Sequence, residues 1–302
     1  MSDQQALTRR DRHRGSPRPA RVSRHPAEVP FFVVMVVLNL AIVLVIVRSA
    51  LVVPFLPAEM QDSGFANTVR AALVGLLLFV PALIVVREVQ RASVLGTAVQ
   101  LSERQFPALY STAQEFAEAL GLGRRPVVYL ANGNGALNAF AAQAAGQDYV
   151  VVSSQLFAHL REENRDGLRF ILGHEMGHIR LHHVSLWYQL AVAYSQRIPI
   201  LGPTLSRLRE YSCDRIGAAL EPQGAVGLVL LASGRYTETE VDIEQLLDQS
   251  RRLRGLWVGL AQLPRSHPFT VRRLERLVGL GLLSTDPADR DQSADPTLRK
   301  PA

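Results

Sequence analysis

Cysteine is nearly absent from this chain of 302 residues, with Cys213 standing alone. A single thiol excludes an intrachain disulfide and a zinc site built on several cysteines. It suits a reducing compartment. Lysine is as rare: Lys300 is the only one among 33 basic residues. We read that as a bias of genome composition, of the GC-rich bacterial kind, and not as chemistry. No repeat recurs at a fixed period. No nucleic-acid-binding motif accompanies the arginines, so nucleic acid is not an expected partner. Charged residues make up 20% of the chain against 48% apolar, which excludes a disordered polypeptide. The mean hydropathy of +0.09 is high for a soluble protein and implies that part of the chain lies in lipid.

Two segments supply that part. Residues 31–53 are apolar except for Asn39, Arg48 and Ser49. As a helix they reach about 34 Å, enough for a hydrocarbon core of about 30 Å. A cleaved signal peptide is the competing reading, but no small-residue cleavage pattern precedes Pro54. Residues 69–86 reach about 27 Å as a helix, with Pro81 expected to kink it. A buried core helix of a soluble domain is the alternative there. Arginine placement sets the topology. Residues 1–30 form a basic tail holding Arg9, Arg10, Arg12, Arg14, Arg18, Arg21 and Arg24, and Arg87, Arg91 and Arg104 follow the second segment. Between Arg48 and Arg70 there is no basic residue. The positive-inside rule then puts the tail and residues 87–302 in the cytoplasm, with the hairpin 31–87 crossing the plasma membrane twice.

The remainder reads as a globular unit over 88–283, followed by a polar, proline-bearing tail, 284–302, expected to be disordered. Residues 88–120 carry a helical pattern that stops at Gly121–Gly123. PVVYL (126–130) and DYVVVS (148–153) read as short strands joined by a turn-rich connection. From 154 to about 282 the pattern is helical, so the expected class is α+β, mostly helical, with a small sheet.

Residues 170–183, FILGHEMGHIRLHH, concentrate chemistry. A helix puts His174 and His178 on one face, one turn apart, where both can bind one zinc ion. Glu175 then points to the open side, as a base for water. Phe170, Ile171, Leu172 and Ile179 give the helix an apolar side. Gly173 and Gly177, poor helix formers, allow another backbone close. Alone, so short a match is as readily a chance occurrence. A catalytic zinc needs a third protein ligand. Leu181 and Val184 exclude the pattern in which a third histidine follows. The other pattern takes a glutamate from a later helix, and Glu210 in LSRLREYSCDRIGAAL (205–220) fits, with Asp214 four residues on to accept a ligand histidine's free N–H. A solvated Glu/Asp/Arg helix surface is the competing reading of that segment. His182 and His183 read as surface residues, and His159, His13 and His25 have no identifiable partners.

The histidine motif, the Glu210/Asp214 pair and the two preceding spans resemble the HtpX-like membrane zinc metallopeptidases, relatives of the CAAX prenyl proteases, over roughly residues 100–280. The resemblance implies a gluzincin-type domain with one zinc ion per chain, held by His174, His178 and Glu210. It implies an endopeptidase of membrane or membrane-proximal proteins, in quality control, with Glu175 as general base. LNAFA (137–141) looks like the family's substrate-groove segment, which implies substrate contacts at Asn138, Ala139 and Phe140. SHPFTVRRLERL (266–277) looks like its late histidine-proline element, with Arg273 at the usual arginine and His267 implied to steady the oxyanion. Two departures stand out. Cys213 replaces a small apolar residue, and only residues 179–209 separate His178 from Glu210, too few for the further spans of HtpX itself. Residues 184–202 are too broken by Gln189, Gln196, Arg197 and Pro199 to span, and read as an interfacial hairpin. A catalytically silent, membrane-anchored zinc scaffold is the alternative from another class.

Overall fold

The computed structural model describes residues 23–162, 165–233 and 240–283. The basic tail as far as residue 22 and the tail 284–302 lie outside these. The first apolar segment forms helix α1 (Glu28–Val52) and the second forms α2 (Gly64–Thr97), which runs unbroken through Pro81. Both are long and apolar enough to cross a membrane. Only 11% and 6% of their most apolar stretches are buried within the molecule, so neither is the core helix of a soluble domain.

Helix α2 continues well past the apolar run that marks it in the sequence. Its extension is polar and holds the globular unit. Arg87 donates to Gln189 Oε1 at 2.7 Å, to the Val184 carbonyl at 3.0 Å and to the Gln143 carbonyl, while Glu88 accepts from the Ala145 amide at 2.6 Å. The chain then leaves the helix as strand β1 (Ala98–Gln100) before helix α3 (Pro107–Ala119). The single helical pattern read over 88–120 is therefore corrected to helix, strand, loop and helix. Pairing with a neighbouring strand overrides local propensity at 98–100, and Pro107 restarts the helix where a missing N–H costs nothing.

Strands β2 (Val127–Ala131), β3 (Ala139–Ala144) and β4 (Gln147–Ser153) complete a sheet of order β1-β2-β4-β3. β2 and β4 are parallel, and the outer pairs are antiparallel. Strand β3 lies inside what the sequence presents as a turn-rich connection. Its alanines disfavour a strand, but the two-residue turn Ala145–Gly146, both at positive φ, sets a hairpin register with β4. β3 is left as an edge.

Helices α4 (Ser154–Glu162), α5 (Arg165–Arg180), α6 (Leu186–Ala191), α7 (Leu201–Leu220), α8 (Gly227–Ser233), α9 (Ile243–Arg252), α10 (Leu256–Gln262) and α11 (Thr270–Gly279) follow. One core joins Phe116 of α3, Val150 and Val152 of β4, Phe170, Leu172 and Met176 of α5, Ile216 of α7 and Leu274 of α11. Each such side chain contributes about 1.5–3 kcal/mol by its burial. Helices α5 and α7 touch through small residues. A Cβ on Gly177 would lie 3.4 Å from the Cα of Cys213, and one on Gly217 would lie 3.0 Å from the Phe170 carbonyl oxygen.

Helix α5 ends in a left-handed turn. His182 has φ +62°, its N–H reaches the Ile179 carbonyl at 3.0 Å, and the His183 N–H reaches the His178 carbonyl at 2.9 Å. This 5→2 and 6→1 pair is a Schellman cap with histidine where glycine is usual. Replacing His182 by glycine is expected to hold or raise unfolding stability, by up to about 1 kcal/mol, whereas the β-branched His182→Val is expected to lower it by about 1–2 kcal/mol. Thermal unfolding in detergent reads both.

Candidate metal centre

Helix α5 presents its two ring nitrogens on one face because four residues make about one turn. Helix α7 faces it across the glycine contact and carries Glu210 and Asp214. His174 Nε2 lies 3.5 Å from Glu210 Oε2, and His178 Nε2 lies 3.5 Å from Glu210 Oε1. The ligand atoms of the three side chains all fall within 4.8 Å of one another. A tetrahedral ion with bonds of about 2.1 Å needs donor separations of about 3.4 Å, so this nitrogen and oxygen set fits a zinc-sized ion.

Partners behind the ring nitrogens decide which atoms converge. Asp214 Oδ1 lies 3.0 Å from His174 Nδ1, leaving Nε2 to face Glu210. Arg273 of α11 grips Asp214 with two nitrogens, Nε at 2.8 Å and Nη2 at 2.5 Å. On His178, Nδ1 meets His183 Nδ1 at 3.1 Å. His183 therefore is not a surface residue. It is 3% exposed and its Nε2 lies 2.9 Å from Glu28 of α1. The Schellman turn explains the difference: a continued helix would put His182 over His178, but the left-handed residue swings His183 back instead. His182 is exposed. His25 also has partners, since its amide donates to Ser212 Oγ at 2.8 Å and its Nε2 lies 2.8 Å from an Arg276 nitrogen.

Glu175 is aimed elsewhere. Its Oε2 accepts from the Ala141 amide of edge strand β3 at 2.9 Å. That contact brings the LNAFA segment beside the centre, with Asn138 and Phe140 exposed and Ala139 half-buried. Asn138 is tied to the sheet through Ser153, whose amide donates to the Asn138 carbonyl at 2.8 Å. His267 Nδ1 stands 3.1 Å from Glu210 Oε2, with its side chain 68% exposed, at the open side of the centre.

Without an ion, protons hold these groups together. Burial works against a charged His174, but hydrogen bonds to Asp214 and Glu210 outweigh it and raise the ring to about 10. Burial likewise pushes Glu210 up, yet bonds to His174, His178 and His267 hold it well below the ordinary carboxylate range. Glu175 is pushed up, chiefly by burial, with the two histidines opposing. Burial and the surrounding carboxylates, Glu210 first, lift the Cys213 thiol well above its ordinary value.

Sequence reasoning missed the Arg273 clamp, the Ala141 amide, His183 and Glu28. One signal was available for Glu28, an acid at the foot of an apolar helix after a run of arginines. Two outcomes follow. Arg273→Met leaves Asp214 buried without its cation and is expected to cost about 3–5 kcal/mol in denaturant unfolding. In chelator-stripped protein, the raised His174 contributes stability that is full below pH 6.5 and is lost as pH rises through 10. The stability lost in His174→Asn is therefore expected to be largest below pH 6.5 and to shrink toward pH 10.

Residues 103–200 match peptidase family M48, a stretch that contains α5 and ends before Glu210. A Protease HtpX homolog from Streptococcus gordonii (strain Challis) is 26% identical over 171 residues, 57% of this chain and 55% of that protein. A Protease HtpX homolog from Halobacterium salinarum is 34% identical over 82 residues, 27% of each. The chain thus spans about half the length of the first relative and about a quarter of the second. With the family match lying over the helix of His174 and His178, and both relatives HtpX homologues, the chain is similar to the HtpX-like members of peptidase family M48.

Proposed function

We propose that this protein is a membrane-anchored zinc-dependent endopeptidase. The observation that carries the reading is the convergence of His174 Nε2, His178 Nε2 and both Glu210 oxygens, with Glu175 between them and a free strand edge. These three residues would hold one zinc ion per chain, which supplies Lewis acidity to polarise a scissile carbonyl and acidify water. Glu175 accepts the proton of the attacking water and returns it to the nitrogen of the leaving amine. Its raised pKa suits both transfers. The Ala141 amide holds Oε2, so Oε1 is the oxygen that works. Asp214, clamped by Arg273, keeps His174 in the tautomer with Nε2 bare. His267, hydrogen-bonded to Glu210 and open to solvent, is placed to donate to an oxyanion.

Edge strand β3 aligns the substrate. The Ser153–Asn138 hydrogen bond fixes the alternation, so residues 138, 140 and 142 turn their backbone groups to β4 while 139 and 141 turn theirs outward. An extended peptide added there meets the Ala139 amide and carbonyl and the Ala141 carbonyl, beside Glu175. Asn138 and Phe140 border that edge.

Placement at the bilayer has its own support. Both the Arg24–Glu28 end of α1 and the Arg87–Glu88 stretch of α2 dock on the globular unit, so one side of the membrane holds both, as arginine placement requires. Asn39 of α1 donates to the Leu190 carbonyl and accepts from the Tyr194 amide. It lies eleven residues beyond Glu28, about 16 Å along the helix. Residues 184–202 therefore lie alongside the spans, with Trp187 and Ile200 facing outward toward lipid. Substrates are membrane or membrane-proximal proteins, in a quality-control role, cut on the cytoplasmic side of the plasma membrane.

Glu175→Gln is the test, on detergent-purified protein, with zinc content and casein cleavage measured together. The variant is expected to keep one zinc per chain and to lose cleavage by at least about 100-fold. Undiminished cleavage would sink the mechanism, wild-type protein that carries no zinc would sink the site, and zinc-loaded wild type with no cleavage would favour a silent scaffold.

A further inference from the structure

The proposed reaction uses neither His183 nor Glu28, yet both are buried, at 3% and 0% exposure. They form a line from the first apolar helix to a metal ligand. Glu28 Oε1 lies 2.9 Å from His183 Nε2, and His183 Nδ1 lies 3.1 Å from His178 Nδ1. The far end is anchored, since Glu28 also takes Arg24 Nη1 at 3.2 Å and the hydroxyl of Ser212 on α7.

Hydrogen counting sets the direction of the line. A carboxylate only accepts, so His183 Nε2 carries the hydrogen. A neutral His183 then has a bare Nδ1, which accepts from His178 Nδ1–H. His178 is left with Nε2 bare, the nitrogen that faces Glu210. This arrangement parallels the one on the other ligand, where Arg273 and Asp214 set His174. There the positioning carboxylate comes from α7, whereas here it comes from the foot of an apolar helix.

We infer that Glu28 of α1 and His183 form a positioning chain that holds His178 in the tautomer and orientation of a metal ligand, so that docking of the Glu28 end of the first apolar helix is a condition of metal affinity. The inference rests on His174, His178 and Glu210 being the zinc ligands. A rival use of the same atoms is a second metal site, because donors of His178, His183 and Cys213 also lie within 4.8 Å of one another. Against it, both His183 nitrogens are already committed to hydrogen bonds, Nε2 to Glu28 and Nδ1 to His178.

Zinc itself is the probe, titrated into stripped full-length protein in detergent against a competing chelator, with zinc stoichiometry measured alongside. His183→Phe and Glu28→Leu are each expected to weaken zinc binding by about 10–100-fold. The double variant is expected to be no weaker than the worse single one, since a broken chain cannot be broken twice. Glu28→Gln, which keeps an acceptor oxygen of the same reach, is expected to recover part of the loss and keeps the test open where Glu28→Leu fails to fold. Asn39→Ala, which cuts a tie of α1 to Leu190 and Tyr194 but leaves Glu28 its contacts with Arg24, His183 and Ser212, is expected to lower the melting temperature and leave zinc affinity as in wild type. Wild-type affinity in His183→Phe and Glu28→Gln would overturn the inference, as would losses that multiply in the double variant or a loss in Asn39→Ala equal to that in Glu28→Leu. Two zinc ions in wild type and one in His183→Phe would replace the chain by a second metal site. Wild type without zinc would instead remove the ligand assignment, and the chain with it.

Discussion

Helix α5 meets helix α7 on glycine, with Gly217 against Phe170 and Gly177 against Cys213, and at that separation the rings of His174 and His178 reach both oxygens of Glu210. Side chains of ordinary size at those positions would hold the helices further apart, because close-packed interiors absorb extra volume poorly. A separation larger by 1 Å would take the nitrogen–oxygen distances to about 4.5 Å, beyond what one ion with bonds of about 2.1 Å can bridge. Gly177 in α5 and Gly217 in α7 are weak helix formers and cost helix stability. The close approach they permit is what makes two helices into one centre.

That centre is a buried alternation of charge. Arg273, Asp214, His174 and Glu210 follow one another by contacts of 2.5 to 3.5 Å, all under 10% exposed. Such a network contributes little net stability, since desolvation offsets most of the attraction. What it secures is geometry. His174 and His178 each have one nitrogen committed to a partner, so the other can point only at Glu210. The apolar core of α3, β4, α5, α7 and α11 carries the stability that this arrangement lacks.

Much of this is legible in the sequence, for reasons that differ by residue. The apolar helices, strands β2 and β4, and the pairing of His174 with His178 and of Glu210 with Asp214 on one helix face each follow from period and spacing, which are local properties. The meeting of the two pairs is expected instead from the need for a third ligand and from the family resemblance. Strand β3 escapes because its alanines carry no strand preference, and only the hairpin register with β4 makes it one. The end of α2 escapes because hydropathy marks where a helix stops being apolar and not where it stops being a helix. His183 is misread through one residue: a continuous helix turns it outward, and the left-handed His182 turns it in. Nothing in the composition of that stretch announces a Schellman turn without glycine. Glu28 lies 155 positions from its histidine, a contact that no spacing argument reaches.

Charged residues at the ends of apolar helices are usually counted only for topology, but here they also tie the helices to the centre. Arg87 of α2 holds the Gln143 carbonyl on edge strand β3, and Glu28 of α1 holds His183. The proposed substrate edge is thus referred to one apolar helix and a proposed metal ligand to the other. Asn39 adds a third tie, deep along α1, to the segment between α5 and α7. Because α1 and α2 pack on each other, a shift of one against the other would move β3 relative to His178. The hairpin is then more than an anchor, since its packing sets the distance between the strand that aligns a peptide and the residues that would cut it.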